Sequence, residues 1–259
     1  MDRYDFRSPR LYVETTLGPG VQVAPDSNQA NYLRNVLRLR QGDKVLLFNG
    51  RDGEWNSTLV GAGKRAGLTV GTRVRAQTGA PDLHFLFAPL KHARLDYMVQ
   101  KAVEMGVSRL QPVITQHTQV TRVNLARMRA NAIEAAQQCG ILALPEIGEP
   151  VEFDAMMNER APERLLVFCD EDADIADPVA ALERSRLQTG RAVFPLAVLT
   201  GPEGGFAEKE RAALLKQPNV VRISLGPRIL RADTAAVAAL ALVQAVLGDW
   251  SRAAGDASG

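Results

Sequence analysis

Two short stretches combine residue types that build ligand pockets rather than regular elements. The first, Leu199-Thr200-Gly201-Pro202-Glu203-Gly204-Gly205-Phe206, follows a strand-like run from Val193 to Leu199 and precedes a charged helical stretch beginning near Ala207. Glycine accepts positive φ and leaves space beside the backbone, while proline gives up an N–H donor, so residues 201–205 fit neither strand nor helix. The second, Leu225-Gly226-Pro227-Arg228-Ile229-Leu230-Arg231-Ala232-Asp233-Thr234, follows a strand-like run from Val220 to Leu225 and precedes an alanine-rich helix predicted over Ala235 to Leu247. Tight loops at the carboxyl ends of strands, opening onto helices, are where open α/β sheets bind ligands. The two loops are predicted to lie side by side at one sheet edge and to share a pocket lined by backbone groups. Glu203, Arg231 and Asp233 are the charged side chains such a pocket could use for proton transfer or charge stabilisation. An ordinary strand–turn–helix corner explains either loop taken alone.

Other chemistries find less support. Asp170-Glu171-Asp172-Ala173-Asp174 is rich in carboxylates, but it lacks the glycine that bends a calcium loop and reads as a solvated segment. His84, His92 and His117 lack metal-ligand spacing, and no metal is expected. Ser185 and Ser224 have no nucleophile-elbow context. No glycine-rich loop ends in Lys-Ser or Lys-Thr, which excludes a P-loop nucleotidase.

The elements around the loops suggest two domains. Residues 1–76 read as a small barrel, with short strands over Lys44 to Phe48, Glu54 to Val60 and Leu68 to Arg75 and a hairpin signal at Asn49-Gly50 and Asp52-Gly53. Residues 77–82 form a linker. Residues 83–250 alternate strands (His84 to Ala88, Arg109 to Ile114, Leu165 to Cys169) with helices, which implies a mostly parallel sheet covered on both faces. One helix runs from Lys91 to Met105 and ends at Gly106; another is capped by Asn124 and closed by Gly140. Residues 251–259 are small and polar, as in a disordered tail.

With 259 residues, 46% hydrophobic and a net charge of +2, the chain can build a full core but carries no global field for nucleic acid, so RNA contacts must come from local clusters. Arg3, Arg7 and Arg10 interleave with Tyr4, Phe6 and Tyr12, a pattern suited to phosphate contact and base stacking or to a solvated strand. Arg34 and Arg38 are four apart on a predicted helix carrying Leu33, Val36 and Leu37; they could face a phosphate backbone or simply solvent. Cys139 and Cys169 show no disulfide framework, and no apolar leader follows Met1, so reduced thiols in the cytoplasm are expected. The helix from Ala235 to Leu247 is too short to span a bilayer.

"LTGPEGGF" followed by "ISLGPRILRADTAA" resembles the signature of the SPOUT RNA methyltransferases, and most closely the ribosomal RNA small subunit methyltransferase E family. The resemblance extends to Lys101-Ala102-Val103-Glu104-Met105-Gly106-Val107 and Gln137-Gln138-Cys139-Gly140. It implies an α/β fold: a parallel-sheet SPOUT domain with a carboxyl-terminal trefoil knot, preceded by a PUA- or OB-like β-barrel that holds RNA. It also implies S-adenosylmethionine as cofactor, N3 of a uridine in 16S rRNA of the small ribosomal subunit as target, and a homodimer. Leu199, Thr200, Gly201, Pro202, Glu203, Gly204, Gly205, Leu225, Gly226, Ile229, Leu230 and Thr234 would then hold the cofactor, with Leu199, Leu225, Ile229 and Leu230 enclosing the purine. Arg231 would orient or stabilise the uracil. The family carries Glu where this chain has Asp233, whose shorter reach favours capping the next helix. Methylation of another RNA position, such as a tRNA ribose, and a non-catalytic RNA-binding assembly factor are the competing readings.

Overall fold

The computed structural model describes residues 8–61, 67–174, 177–189 and 194–250. Contacts divide the chain into two units, Met1–Gly79 with Ile133–Leu144, and Ala80–Ala132 with Pro145–Gly259.

The first unit contains β1 (Arg10–Tyr12), β2 (Gln22–Val23), α1 (Ser27–Asn31), a π-helical turn (Tyr32–Val36), β3 (Lys44–Phe48), β4 (Glu54–Val60) and β5 (Gly67–Arg75). Its five-stranded sheet has the order β1-β3-β4-β5-β2. β1 and β3 run parallel and the remaining pairs antiparallel. The hairpin forms as predicted: Phe48 pairs with Glu54, Gly50 and Gly53 take positive φ, and the Asn49 side chain accepts from the N–H of Arg51 and Asp52. Leu11, Val13, Leu33, Val45, Leu47, Leu59, Leu68 and Val70 form the core, each worth about 1.5–3 kcal/mol when fully buried.

The helix predicted to carry Arg34 and Arg38 is shorter than its apolar spacing suggested. The N–H of Leu37 donates to Tyr32 O, five residues back, and that of Leu39 to Leu33 O. Arg38 leaves the helix with φ +57, so the two arginines do not share a helical face. The widened turn buries Leu33 but leaves Val36 61% exposed.

The second unit follows with β6 (Leu83–Phe87), α2 (His92–Glu104), β7 (Arg109–Ile114), α3 (Leu125–Cys139), β8 (Glu146–Ile147), β9 (Val151–Glu152), α4 (Phe153–Glu159), β10 (Leu165–Cys169), α5 (Pro178–Thr189), β11 (Leu196–Thr200), α6 (Glu208–Leu215), β12 (Val220–Ile223) and α7 (Ala232–Val246). Its sheet runs β12-β10-β11-β6-β7-β8, with β9 also on β7, and every pair is parallel. Both faces are covered, as alternate residues show: Leu166 and Phe168 join Leu86, Leu199 and Phe206 in one cluster, while Leu165 and Val167 are buried on the opposite side. Asn124 caps α3 by accepting from the N–H of Arg127, and Gly106 and Gly140 take the left-handed conformation after α2 and α3. α7 packs on α2, α5 and β11. Its buried Gln244 donates to Met105 O, a carbonyl that α2 leaves open at its end.

The expected boundary near residue 77 needs one correction, because the last turns of α3 belong to the first unit. The Arg10 guanidinium donates to the carbonyls of Ala136, Gln137 and Ile141, and Arg75 donates to Gly140 O. Glu54, 1% exposed, bridges the two arginines at 2.6 and 2.7 Å. Two cations thus satisfy the orphan carbonyls and the negative dipole end of this helix, and a buried carboxylate balances them.

Candidate active site

The two Gly-Pro loops do line one cavity, of about 310 Å³, but they are not neighbours. β10 lies between β11 and β12. Cys169 is level with Thr200 on one side and with Ile223 on the other, so three strand ends meet at one height. Consecutive crossovers thereby place the end of β10 at the bottom of the pocket, flanked by both loops.

Packing beneath the first loop sets its path. A Cβ on Gly201 would lie 2.7 Å from Cε2 of Phe206, whose ring meets Phe168 edge-on at 5.0 Å between centroids. Gly205 has φ +67, and a Cβ there would lie 2.4 Å from the Glu171 carboxylate. The Gly205 N–H donates to Pro202 O at 3.0 Å, closing the turn. From outside, His117 Nδ1 lies 3.1 and 3.2 Å from the carbonyls of Gly204 and Gly205; because carbonyls only accept, Nδ1 carries the proton. Glu210, nearly buried, accepts from the N–H of Gln116 and of Ala207, holding the start of α6 under the loop.

The second loop turns at Gly226, φ +104. The N–H groups of Gly226, Ile229 and Leu230 meet no protein acceptor among the described residues, which leaves them available to a ligand. Arg231 is the N-cap residue of α7, and its Nε is 3.8 Å from Asp233 Oδ1. Helix α7 therefore starts three residues earlier than Ala235, and Asp233 sits in its first turn rather than at its cap. There a carboxylate favours the positive end of the helix dipole.

A family model described as an RNA methyltransferase domain matches residues 78–244, and one described as an RNA methyltransferase PUA domain matches residues 25–68. The ribosomal RNA small subunit methyltransferase E of a Synechocystis strain is 30% identical over 244 residues, covering 93% of this chain and 76% of the relative. The chain belongs to the ribosomal RNA small subunit methyltransferase E family. The enzyme of that name from Rickettsia conorii is 29% identical over 241 residues, covering 91% of this chain and 94% of the relative. A crystal structure of the Neisseria gonorrhoeae methyltransferase E bound to S-adenosyl methionine superposes with a TM-score of 0.78 at 25% identity, covering 94% of this chain and all of that one. The fold is accordingly an α/β parallel-sheet methyltransferase domain preceded by a PUA-like domain.

Most of the cofactor set expected from the family signature lines the cavity: Thr200, Gly201, Pro202, Glu203, Gly205, Leu225, Gly226, Ile229 and Leu230. Leu199 is instead fully buried in the core, because strand alternation turns it away from Thr200, the residue that faces the cavity. Gly204 faces His117. Thr234 is exposed on the first turn of α7, away from the cavity lining. Ile229, 93% exposed, sits at the rim and encloses little in the free protein. Of the charged candidates, Glu203 and Arg231 line the cavity and Asp233 does not. Glu203 pairs with Arg94 at 3.3 Å, both about 40% exposed.

The third wall comes from the start of the acidic run that reads in the sequence as a solvated segment. Cys169, Asp170 and Glu171 line the cavity, and Asp170 is buried rather than solvated. Its carboxylate receives Arg211 and Arg222 at 3.0 and 2.6 Å, tying α6 and β12 to the end of β10. Burial, reinforced by the Asp170 charge, pushes the Cys169 thiol up to about 12, so it stays protonated and unreactive. No local signal marked this anchor, since Arg211 and Arg222 lie 41 and 52 residues from Asp170 in the chain.

Among the expected RNA contacts, Arg3 and Arg7 lie outside the described residues. Arg10 is corrected: it is 7% exposed, stacks over Phe48 and spends its donors on Glu54 and three carbonyls, so no phosphate can reach it. Arg34 is half-buried and Arg38 exposed on the first unit. No grouping of three or more His, Cys, Asp and Glu that could hold a metal occurs among the described residues. No helix there is long and apolar enough to cross a membrane.

Proposed function

We propose that the protein methylates N3 of a uridine in 16S rRNA of the small ribosomal subunit, with S-adenosylmethionine as methyl donor. One observation carries this reading: a cavity takes one wall from each Gly-Pro loop, and the second loop brings to it backbone N–H groups that meet no acceptor among the described residues. Those donors and the neighbouring carbonyls suit the edges of an adenine, and Leu225 and Leu230 suit its faces. When bound, S-adenosylmethionine supplies a methyl group on a sulfonium, a leaving group that needs no activation by protein.

The chain's own residues then have three tasks. The loops align the acceptor nitrogen with the methyl group and exclude water. Arg231, exposed at the cavity rim, stabilises the negative charge that uracil develops as N3 gives up its proton. Glu203 supports the role of proton acceptor because it lines the same cavity, whereas Asp233 orients Arg231 from the first turn of α7. The new bond joins N3 to the methyl carbon, and the electrons of the broken C–S bond remain on sulfur.

The first unit supplies the RNA platform, with Arg34 and Arg38 as phosphate contacts. The order β12-β10-β11, in which β12 returns across β10, is compatible with the trefoil knot that the family resemblance implies. We also assign the protein to the cytoplasm, which its two cysteines, without a disulfide framework, suit, and read it as a homodimer, as the resemblance implies.

The decisive experiment is nucleoside mass spectrometry after incubating the protein and S-adenosylmethionine with small subunits, naked 16S rRNA or tRNA. 3-Methyluridine in rRNA is the expected product. A methylated tRNA ribose, or no cofactor binding by calorimetry, would overturn the reading.

A further inference from the structure

We propose that Glu171 is the counter-charge for the cationic tail of the methyl donor, the part of S-adenosylmethionine that bears the sulfonium and the amino-acid ammonium. The inference rests on assigning the cavity to that cofactor and goes beyond the two signature loops, since Glu171 belongs to neither. The cavity has three acidic residues besides its backbone donors: Asp170, Glu171 and Glu203. Two are already engaged. Asp170 is neutralised by Arg211 and Arg222, and Glu203 pairs with Arg94. The Glu171 side chain makes no hydrogen bond or ion pair among the described residues.

Its backbone position is set by the strand that precedes it. Glu171 leaves the end of β10, between the loops, and one carboxylate oxygen occupies the space a Cβ at residue 205 would need, 2.4 Å away. Gly205 takes the left-handed conformation that the turn requires, and the carboxylate lies beside it. The Gly205 N–H is spent on Pro202 O, so the loop does not neutralise Glu171. The Glu171 carboxylate lines the cavity yet is exposed to solvent, so it meets an entering cation as an unneutralised but partly screened charge. It would also distinguish the charged donor from an uncharged adenosine thioether.

Calorimetry with S-adenosylmethionine, S-adenosylhomocysteine and 5′-methylthioadenosine tests this on the parent chain and Glu171→Gln, which keeps size and hydrogen bonding but removes the charge. The expected result is a loss of about three-fold or more in affinity for S-adenosylmethionine, with 5′-methylthioadenosine, which has neither cation, little changed. A parallel loss for S-adenosylhomocysteine assigns the contact to the ammonium, and no loss there assigns it to the sulfonium; either supports a counter-charge. Equal losses for all three ligands, or none, would overturn it, since a ribose contact or a merely structural role moves them together. If the parent binds none of the three ligands, the cofactor assignment itself falls. If the parent binds and the variant matches it, only the role of Glu171 does.

Discussion

Phe206 folds back beneath Gly201 so closely that one added carbon at residue 201 would meet its ring at 2.7 Å. The ring is held from behind by Phe168 and the core cluster around it, so it has little room to yield. Gly201→Ala is expected to cost about 1–3 kcal/mol through overpacking. Thermal unfolding reads that loss, and calorimetry should show weaker cofactor binding as the loop is pushed into the cavity. Unchanged unfolding and binding would mean that the loop shifts freely.

Arg231 is exposed at the rim, with Asp233 3.8 Å from its Nε. Arg231→Ala should therefore lower the methylation rate by about 10²-fold or more, as removal of a charge-stabilising donor does. Affinity for S-adenosylmethionine should stay within about three-fold, because the cofactor is expected on backbone groups. Equal turnover of variant and parent would remove Arg231 from the mechanism.

Asp170 joins the end of β10 to α6 and β12 through Arg211 and Arg222. Breaking a buried pair leaves uncompensated charge, so Asp170→Ala should destabilise the protein by about 3–5 kcal/mol. Denaturant unfolding measures this. A change below about 1 kcal/mol would show that the arginines find water instead.

Arg10 and the Arg34–Arg38 pair should separate cleanly. Arg10→Ala leaves the buried Glu54 with Arg75 as its remaining partner and removes the donors to three carbonyls, and is expected to lower stability by about 2–4 kcal/mol. Replacing Arg34 and Arg38 together should cost less stability than Arg10→Ala but reduce the salt dependence of RNA binding by about one to two counterions. Filter binding across a salt series, beside thermal melts, distinguishes the two behaviours.

His84 provides a pH signature. Burial, then the positive charge of Arg164, lowers its pKa from 6.5 to about 4, with Arg109 adding to the effect and Asp82 and Glu146 opposing it. The unfolded chain therefore takes up a proton below about pH 6.5 that the folded chain refuses until about pH 4. The stabilisation is complete above pH 6.5, is lost as pH falls toward 4, and stays flat below. The shift corresponds to an upper bound of about 3 kcal/mol, reduced by solvent at the partly open ring. Stability of the parent relative to His84→Gln, followed by unfolding from pH 7 to pH 4, should fall over this window. A constant difference would show that His84 is not buried as a neutral group.

Much of the fold is legible because the relevant forces are local. The buried parallel strands Leu165–Cys169 and Arg109–Ile114 appear as apolar runs with matching limits, Asn124 marks the start of α3, and Gly106 marks the end of α2. The π-helical turn at Tyr32 is not legible, since a five-residue step and a four-residue step share one apolar pattern over so short a span. Arg10 misleads for another reason: an arginine near aromatics looks the same whether the guanidinium meets phosphate or carbonyls. Leu199 belongs to the signature stretch but points into the core.

The sequence by itself determined that two glycine–proline loops end strands, that these strands are buried in a parallel sheet, and that the loops carry the family's signature. Only the tertiary structure decided that β10 inserts between them, that Asp170 is a buried anchor, and that Glu171 joins the lining of the pocket. Residue type and spacing report on contacts made within a few positions. Strand order depends on how crossovers pack over the whole sheet, and no local pattern encodes which distant cation a carboxylate will meet.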